Sequence, residues 1–215
     1  MTELLNCCDQ DLNPIKPKDR DTVHKEGIWH KTSHVWLYDS EGYVYFQVRA
    51  DADKLYTSAS GHVGANEDPK YAAVREMGEE LGLRIWHNEL ELIEIDAWKF
   101  DNEVKHDHAF AYIYLYKIAR GFTGFSVNPT EVSDVIKVKA KELLGYLLGL
   151  PYACEQFDVH GNKLKKNKDL LLMDGEIGIL KYGRILKAIV ERTNMDLINQ
   201  NNKYSYSNQI EGAED

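Results

Sequence analysis

Cysteine is scarce: Cys7, Cys8 and Cys154 are the only three in 215 residues, with neither a CxxC pair nor a zinc-like Cys/His spacing. A disulfide framework is therefore excluded, and a reducing compartment fits best. No run approaches 18 apolar residues, and the opening MTELLNCCDQ lacks a basic region followed by an apolar one. The expectation is a soluble, cytoplasmic chain. Positive charge is also in deficit, since 26 Lys+Arg against 35 Asp+Glu leave a net charge of −9. A broad nucleic-acid surface or a polybasic membrane patch is thus not expected, and any polyanion needs help from local cations. What remains, 43% hydrophobic and 28% charged residues without internal repeats, suits one globular core with an appendage.

Residues 1–22 are polar and punctuated by Pro14 and Pro17, so they read as a loose lead-in or an edge strand with little function. HVWLYD, SEG and YVYFQVR, starting at His34, give a hairpin. Asp68-Pro69 opens a helix over 69–81, and Gly82 stands just past its end. Further strands are expected at 90–100, 108–118 and 134–140, and helices at 141–150 and 176–193, with 151–172 as loop. The last helix carries an apolar stripe at 179, 182, 186, 189 and 190, which suits packing on the core or a homodimer contact. Mixed strands and helices imply an α/β or α+β sandwich. Four segments result: a lead-in (1–29), a main domain (30–150), a C-terminal helical extension (151–195) and a polar tail (196–215).

The chemistry concentrates in residues 61–83, GHVGANEDPKYAAVREMGEELGL. On a helix, Glu76, Glu79 and Glu80 fall at i, i+3 and i+4, so three carboxylates share one face. Like charges at that spacing cost a few tenths of a kcal/mol per pair, roughly, and a bound divalent cation reverses the sign. Magnesium takes one or two carboxylates together with phosphate oxygens and water, which is chemistry suited to a diphosphate. A plain solvated helix with an Arg75–Glu79 ion pair is the competing reading for the glutamates alone.

The full pattern decides between them. Gly61, Glu67, Arg75-Glu76-Met77, Glu79-Glu80 and Gly82-Leu83 occupy every fixed position of the Nudix box, a coincidence on the order of 10⁻⁷ for a chain of this composition. The sequence thus resembles the Nudix hydrolase superfamily. That resemblance implies a Nudix-type α/β/α sandwich with a mixed sheet, over about residues 30–150, and the box as loop–helix–loop. It also implies that Glu76, Glu79 and Glu80 hold Mg²⁺ or Mn²⁺, that the Gly61 carbonyl adds a ligand, and that Arg75 and Glu67 orient the carboxylates. The expected activity is hydrolysis of a diphosphate linkage in a small molecule, a nucleoside diphosphate derivative or another organic diphosphate. Glu76 or Glu79 is a candidate base, and Glu103, from a loop outside the box, is the alternative.

A finer resemblance, carried by HKEGIWHKTSHVWLY, SGHV and DNEV, is to the isopentenyl diphosphate isomerase branch of this fold. It implies a second metal site from His24, His30, His62, Asp101 and Glu103, with His106 and His108 able to line the same cleft. Two departures speak against the isomerase reaction: Ser60 stands where that branch has a cysteine, and a serine hydroxyl is a poor proton shuttle, whereas the carboxylate set is complete. A non-catalytic sensor is the third reading, disfavoured by the retention of all three glutamates. Tyr56, Trp98, Tyr112, Tyr114 and Tyr116 are candidates for stacking on a ligand or for ordinary sheet packing, and loops 51–60, 99–107 and 119–132 are expected to set specificity.

Overall fold

The computed structural model describes residues 3–151, 154–171 and 176–211, the side chains at 176, 177 and 196–211 excepted. The lead-in forms β1 (Leu4–Leu5), β2 (Lys18–Asp19) and α1 (Arg20–Glu26). Next come β3 (His30–Tyr38), β4 (Tyr43–Arg49), β5 (Leu55–Tyr56), β6 (Ala59–His62) and α2 (Pro69–Leu81). The chain continues through β7 (Glu91–Asp101), β8 (His106–Lys117), β9 (Val132–Lys139), α3 (Ala140–Leu147), β10 (Gln156–Asp158) and α4 (Glu176–Glu211).

The main sheet runs β10-β9-β4-β3-β8-β7, with β5 added to β4 and β6 to β3. β3 and β8 pair in parallel and the other pairs are antiparallel, so the sheet is mixed. Alternation along the central strands divides the apolar residues between two faces. Val35, Leu37 and Tyr45 pack beneath Ala73, Met77 and Leu81 of α2. Trp36, Phe46 and Val48 pack beneath Leu143 of α3 and Ile185, Leu186 and Ile189 of α4. Helices on both faces of a mixed sheet make the expected α/β/α sandwich. The stripe predicted on the last helix lies on this core through Leu186 and Ile189, with Tyr182 and Val190 beside them.

Three expectations need correction. The lead-in is not loose: Leu5, Cys7 and Val23 are buried together, and α1 is capped by the Asp19 side chain, which accepts from the Thr22 N–H at 2.9 Å. Short-range composition could not reveal this, because its backbone partners are distant, as in Asn6 N–H to the Val63 carbonyl and Cys8 N–H to the Trp29 carbonyl. At the other end, helical backbone continues past 193 to Glu211. The stretch assigned to loop, 151–172, contains β10, and its residues 152, 153 and 172 lie outside the described residues.

Candidate active site

The box helix is delimited by its own residues. The Asp68 carboxylate accepts from the Lys70 N–H at 2.8 Å, Pro69 sits in the first turn, and Gly82 closes the helix at φ 69°, a left-handed conformation. A Cβ at Gly82 would also lie 2.7 Å from Ser126, so the position is closed to larger residues twice over. Thus fixed, α2 lies over β6, and the approach is closest at Gly61, where a Cβ would stand 1.9 Å from Glu76 Oε1. The missing side chain is what admits the carboxylate.

Arg75 organises the surrounding acids. Its guanidinium donates to Glu67 Oε1 at 3.0 Å and Oε2 at 3.1 Å, to Glu76 Oε1 at 2.7 Å, to Glu79 Oε2 at 3.0 Å and to the His62 carbonyl at 2.9 Å. Glu67 in turn accepts from the Gly64 N–H at 2.7 Å, which ties the preceding loop to the helix. The Arg75–Glu79 pair of the plain-helix reading is therefore present, but as one arm of this fork. Glu80, 1% exposed, accepts from the Ser60 N–H at 2.8 Å and from Gln47 Nε2 at 3.2 Å.

Burial dominates the protonation of these acids. It pushes Glu76 up against the pull of Arg75, and raises Glu80 to about 8, with the Ser60 N–H opposing and Glu76 adding to the rise. Burial also pushes Glu67 up, but its bonds to Arg75 and Gly64 outweigh that and leave it below the usual carboxylate range. Two neighbouring acids held above their ordinary values beside an exposed third are a donor set that fits a divalent cation.

A second cluster adjoins the first. His24 from α1, His30 at the start of β3 and His62 at the end of β6 bring one ring nitrogen each within 4.8 Å of one another. His30 Nδ1 donates to the Ile28 carbonyl at 3.1 Å, so its Nε2 carries the lone pair, and that atom is buried without a hydrogen-bond partner. Asp107 Oδ1, also buried and unpartnered, lies 3.6 Å from His30 Nε2 and 3.7 Å from His24 Nε2, while Lys105 holds Oδ2 at 2.7 Å. Desolvation lowers His30, takes His24 to about 4 and takes His62 to about 2, so the rings are neutral near pH 7. Neutral imidazoles with a carboxylate suit manganese, zinc or iron.

These depressed histidines fix the acid behaviour of the metal-free protein. Below pH 6.5 the unfolded chain binds protons that the folded cluster refuses, so stability falls as pH drops toward 4. Thermal melts in chelator at pH 7 and pH 4.5 are expected to show a lower midpoint at pH 4.5, and His62→Asn is expected to narrow that gap; an unchanged gap rules the cluster out as its source.

The sequence-predicted acids Asp101 and Glu103 do not join this cluster. Asp101 accepts from His108 at 2.7 Å and His106 at 2.8 Å, bonds that hold it at about 2, and Glu103 is exposed in the turn between β7 and β8. Asp107 takes the place, because alternation along β8 turns Asp107 to the face opposite that of His106 and His108. The HDH triplet was the available signal, and it points both ways. Of the aromatics, Tyr114 is buried under α2 with Tyr112 and Tyr116 packed beside it, which makes them sheet packing. Tyr56 and Trp98 do line the cleft, a cavity of about 620 Å³ that also gathers Arg20, His34, Arg49, Lys105 and Glu131. Arg20, Arg49 and Lys105 are the local cations that the chain's negative charge requires.

Comparison with known proteins agrees with this geometry. The NUDIX domain model matches residues 29–150. An uncharacterized Nudix hydrolase of Clostridium acetobutylicum is 31% identical over 153 residues, covering 67% of this chain and 74% of the relative. An isopentenyl-diphosphate Delta-isomerase of Serratia proteamaculans is 29% identical over 123 residues, 54% of this chain and 66% of the relative. The crystal structure of a Deinococcus radiodurans protein superposes at a TM-score of 0.51 with 19% identity, over 71% of this chain and 93% of that one. With its box complete from Gly61 to Leu83 and folded as loop–helix–loop against the mixed sheet, this chain belongs to the Nudix hydrolase family.

Proposed function

We propose that the protein is a metal-dependent hydrolase that cleaves the diphosphate linkage of a small organic molecule, with Mg²⁺ or Mn²⁺ held by Glu76, Glu79, Glu80 and the Gly61 carbonyl. The observation that carries this reading is the Glu76 carboxylate seated against Gly61 beside the buried Glu80. A bound cation would neutralise phosphate charge and lower the pKa of an attacking water. The water oxygen joins one phosphorus, the bridging P–O bond breaks, and the water proton goes to a carboxylate of the box. Glu79, half exposed and tethered by Arg75, is the most accessible of the three, and Glu76 is the alternative; Glu103, exposed in its turn, is not among the residues that line the cleft. Arg75 and Glu67 act as positioning residues.

His24, His30, His62 and Asp107 form a candidate second metal site, supported by two mutually facing buried atoms that lack partners. Metal content measured on purified protein is expected to fall by about one equivalent in His30→Ala and in His62→Ala. Equal stoichiometry to the parent eliminates this site. An isomerase is not favoured, because Ser60 supplies its N–H to Glu80 and has no thiol to offer. The test of the main reading is incubation of purified protein with Mg²⁺ or Mn²⁺ and a panel of nucleotide sugars, dinucleoside polyphosphates, nucleoside triphosphates and alkyl diphosphates. Metal-dependent release of a phosphorylated product supports it; conversion of isopentenyl to dimethylallyl diphosphate without hydrolysis refutes it.

A further inference from the structure

Beneath the cleft, between β3, β7, β8 and α4, lies a smaller cavity of about 70 Å³ whose walls include His34, Trp36, Tyr56, Trp98, Ala111 and Tyr182. His34, Tyr56 and Trp98 also line the large cleft, so the small cavity forms its floor. Trp36 and Tyr182 meet edge to face with ring centroids 4.9 Å apart, which makes the wall facing α4 stiff and apolar. At this wall Asp96 pairs with Lys181 at 3.0 Å, both mostly buried, and Arg184, 3.7 Å from Asp96, is held by Glu94 at 2.8 Å. Burial pulls His34 down to about 4, and its Nε2 lies 3.3 Å from the Thr32 hydroxyl, so the ring is neutral. No net charge is left to receive a phosphate here.

One polar atom is unsatisfied. Trp98 Nε1 is buried and has no acceptor among the described residues. An indole N–H is a donor only, and leaving its hydrogen bond unmade in a buried place is unfavourable, so an occupant that presents an acceptor is favoured over one that does not. Size limits the occupant as well. A cavity of about 70 Å³ is less than half the ~150 Å³ apolar cavity that accepts benzene, so about three heavy atoms fill it. A purine does not fit.

We infer that this floor pocket binds the non-phosphate end of the substrate, and that this end is a compact, uncharged, mainly aliphatic group of which about three heavy atoms, one of them a hydrogen-bond acceptor, enter the pocket. The substrate class is then a short hydroxyalkyl or acylalkyl diphosphate, with its phosphates at the box carboxylates and its tail under Trp98. The inference rests on the hydrolase reading for the reaction, but on the cavity alone for the tail.

The experiment compares butyl, 3-hydroxybutyl and octyl diphosphate with ADP-ribose, using the full chain and its Trp98→Phe and Ala111→Val variants. Hydrolysis is followed in Mg²⁺ and binding by calorimetry in Ca²⁺, with thermal melts to verify folding. In the parent, kcat/KM for the 3-hydroxybutyl compound is expected to exceed that for butyl by about tenfold, the worth of one hydrogen bond, and both to exceed octyl and ADP-ribose. Trp98→Phe keeps an aromatic face but loses the pyrrole ring with its donor, so the tenfold preference should collapse toward unity. Ala111→Val adds two methyl groups to the wall and should raise KM for the four-carbon compounds more than kcat falls. A preference for ADP-ribose, or a hydroxyl preference unaltered in Trp98→Phe, overturns the inference while leaving hydrolysis standing. Absence of hydrolysis with the same order of binding overturns the reaction and upholds the pocket.

Discussion

Replacing Glu80 by Gln is expected to lower Mg²⁺-dependent kcat by about 10³-fold, roughly 4 kcal/mol of transition-state stabilisation, while leaving the metal-free protein at least as stable as the parent. The two halves of this result have one cause. Glu80 is 1% exposed, and burial lifts it to about 8, so at neutral pH the metal-free protein holds it mainly protonated. An amide keeps the shape and still accepts from the Ser60 N–H, but it cannot ionise to hold a cation. For an acid raised in the folded state, stability is highest below the unfolded value and declines as pH rises from about 4.5 to about 8. Gln removes that decline. Melting the chelated parent and Glu80→Gln at pH 5 and pH 9 therefore has a definite sign: the parent loses more of its midpoint on going to pH 9 than the variant does. Wild-type activity in Glu80→Gln, with Glu79→Gln equally active, would remove these carboxylates from the reaction.

The same protonation makes metal uptake and proton release one event. At pH 7 a cation entering beside Glu80 has to displace its proton, because ligating carboxylates are ionised. Calorimetric titration of Mn²⁺ in buffers of different ionisation enthalpy is expected to report release of close to one proton at pH 7 and markedly less at pH 9, where Glu80 is already ionised. No buffer dependence at pH 7 would mean that the cation does not meet Glu80.

What the sequence made legible was local. Asp68, Pro69 and Gly82 delimit α2 by chemistry that acts within a few residues, and the helix spans Pro69–Leu81 as those signals require. The carboxylate face follows from helical spacing alone. Contacts made by distant segments were not legible. Gln47 reaches Glu80 across 33 positions, and the lead-in earns its order by threading beside Val63 and Trp29, so its Pro14 and Pro17 gave a misleading impression of looseness. The acid of the histidine cluster was misplaced for a related reason. Asp101, Glu103 and Asp107 all lie near the β7–β8 turn, and only the register of that hairpin, with Asp101 opposite His106, determines which of them faces inward.

Gly61→Ala is expected to be the most damaging single methyl group that can be added to this protein. The new Cβ would stand 1.9 Å from Glu76 Oε1 and 2.2 Å from its Cδ, so either the carboxylate swings away or β6 shifts from α2. Overpacking of this kind costs about 1–3 kcal/mol in stability. The catalytic loss should be larger, since a displacement of about 1 Å at the reacting centre already costs on the order of 10²-fold. Arg75 transmits the damage, because the guanidinium that binds Glu76 also holds Glu67, Glu79 and the His62 carbonyl. Glu76→Ala alone should be inactive but folded. Combining it with Gly61→Ala removes the colliding group, so the double variant should recover most of the stability lost in Gly61→Ala and none of the activity. Denaturant titrations of the four proteins measure that coupling. Additive losses would show that Gly61 and Glu76 do not meet, and the seat on which the metal assignment depends would then be absent.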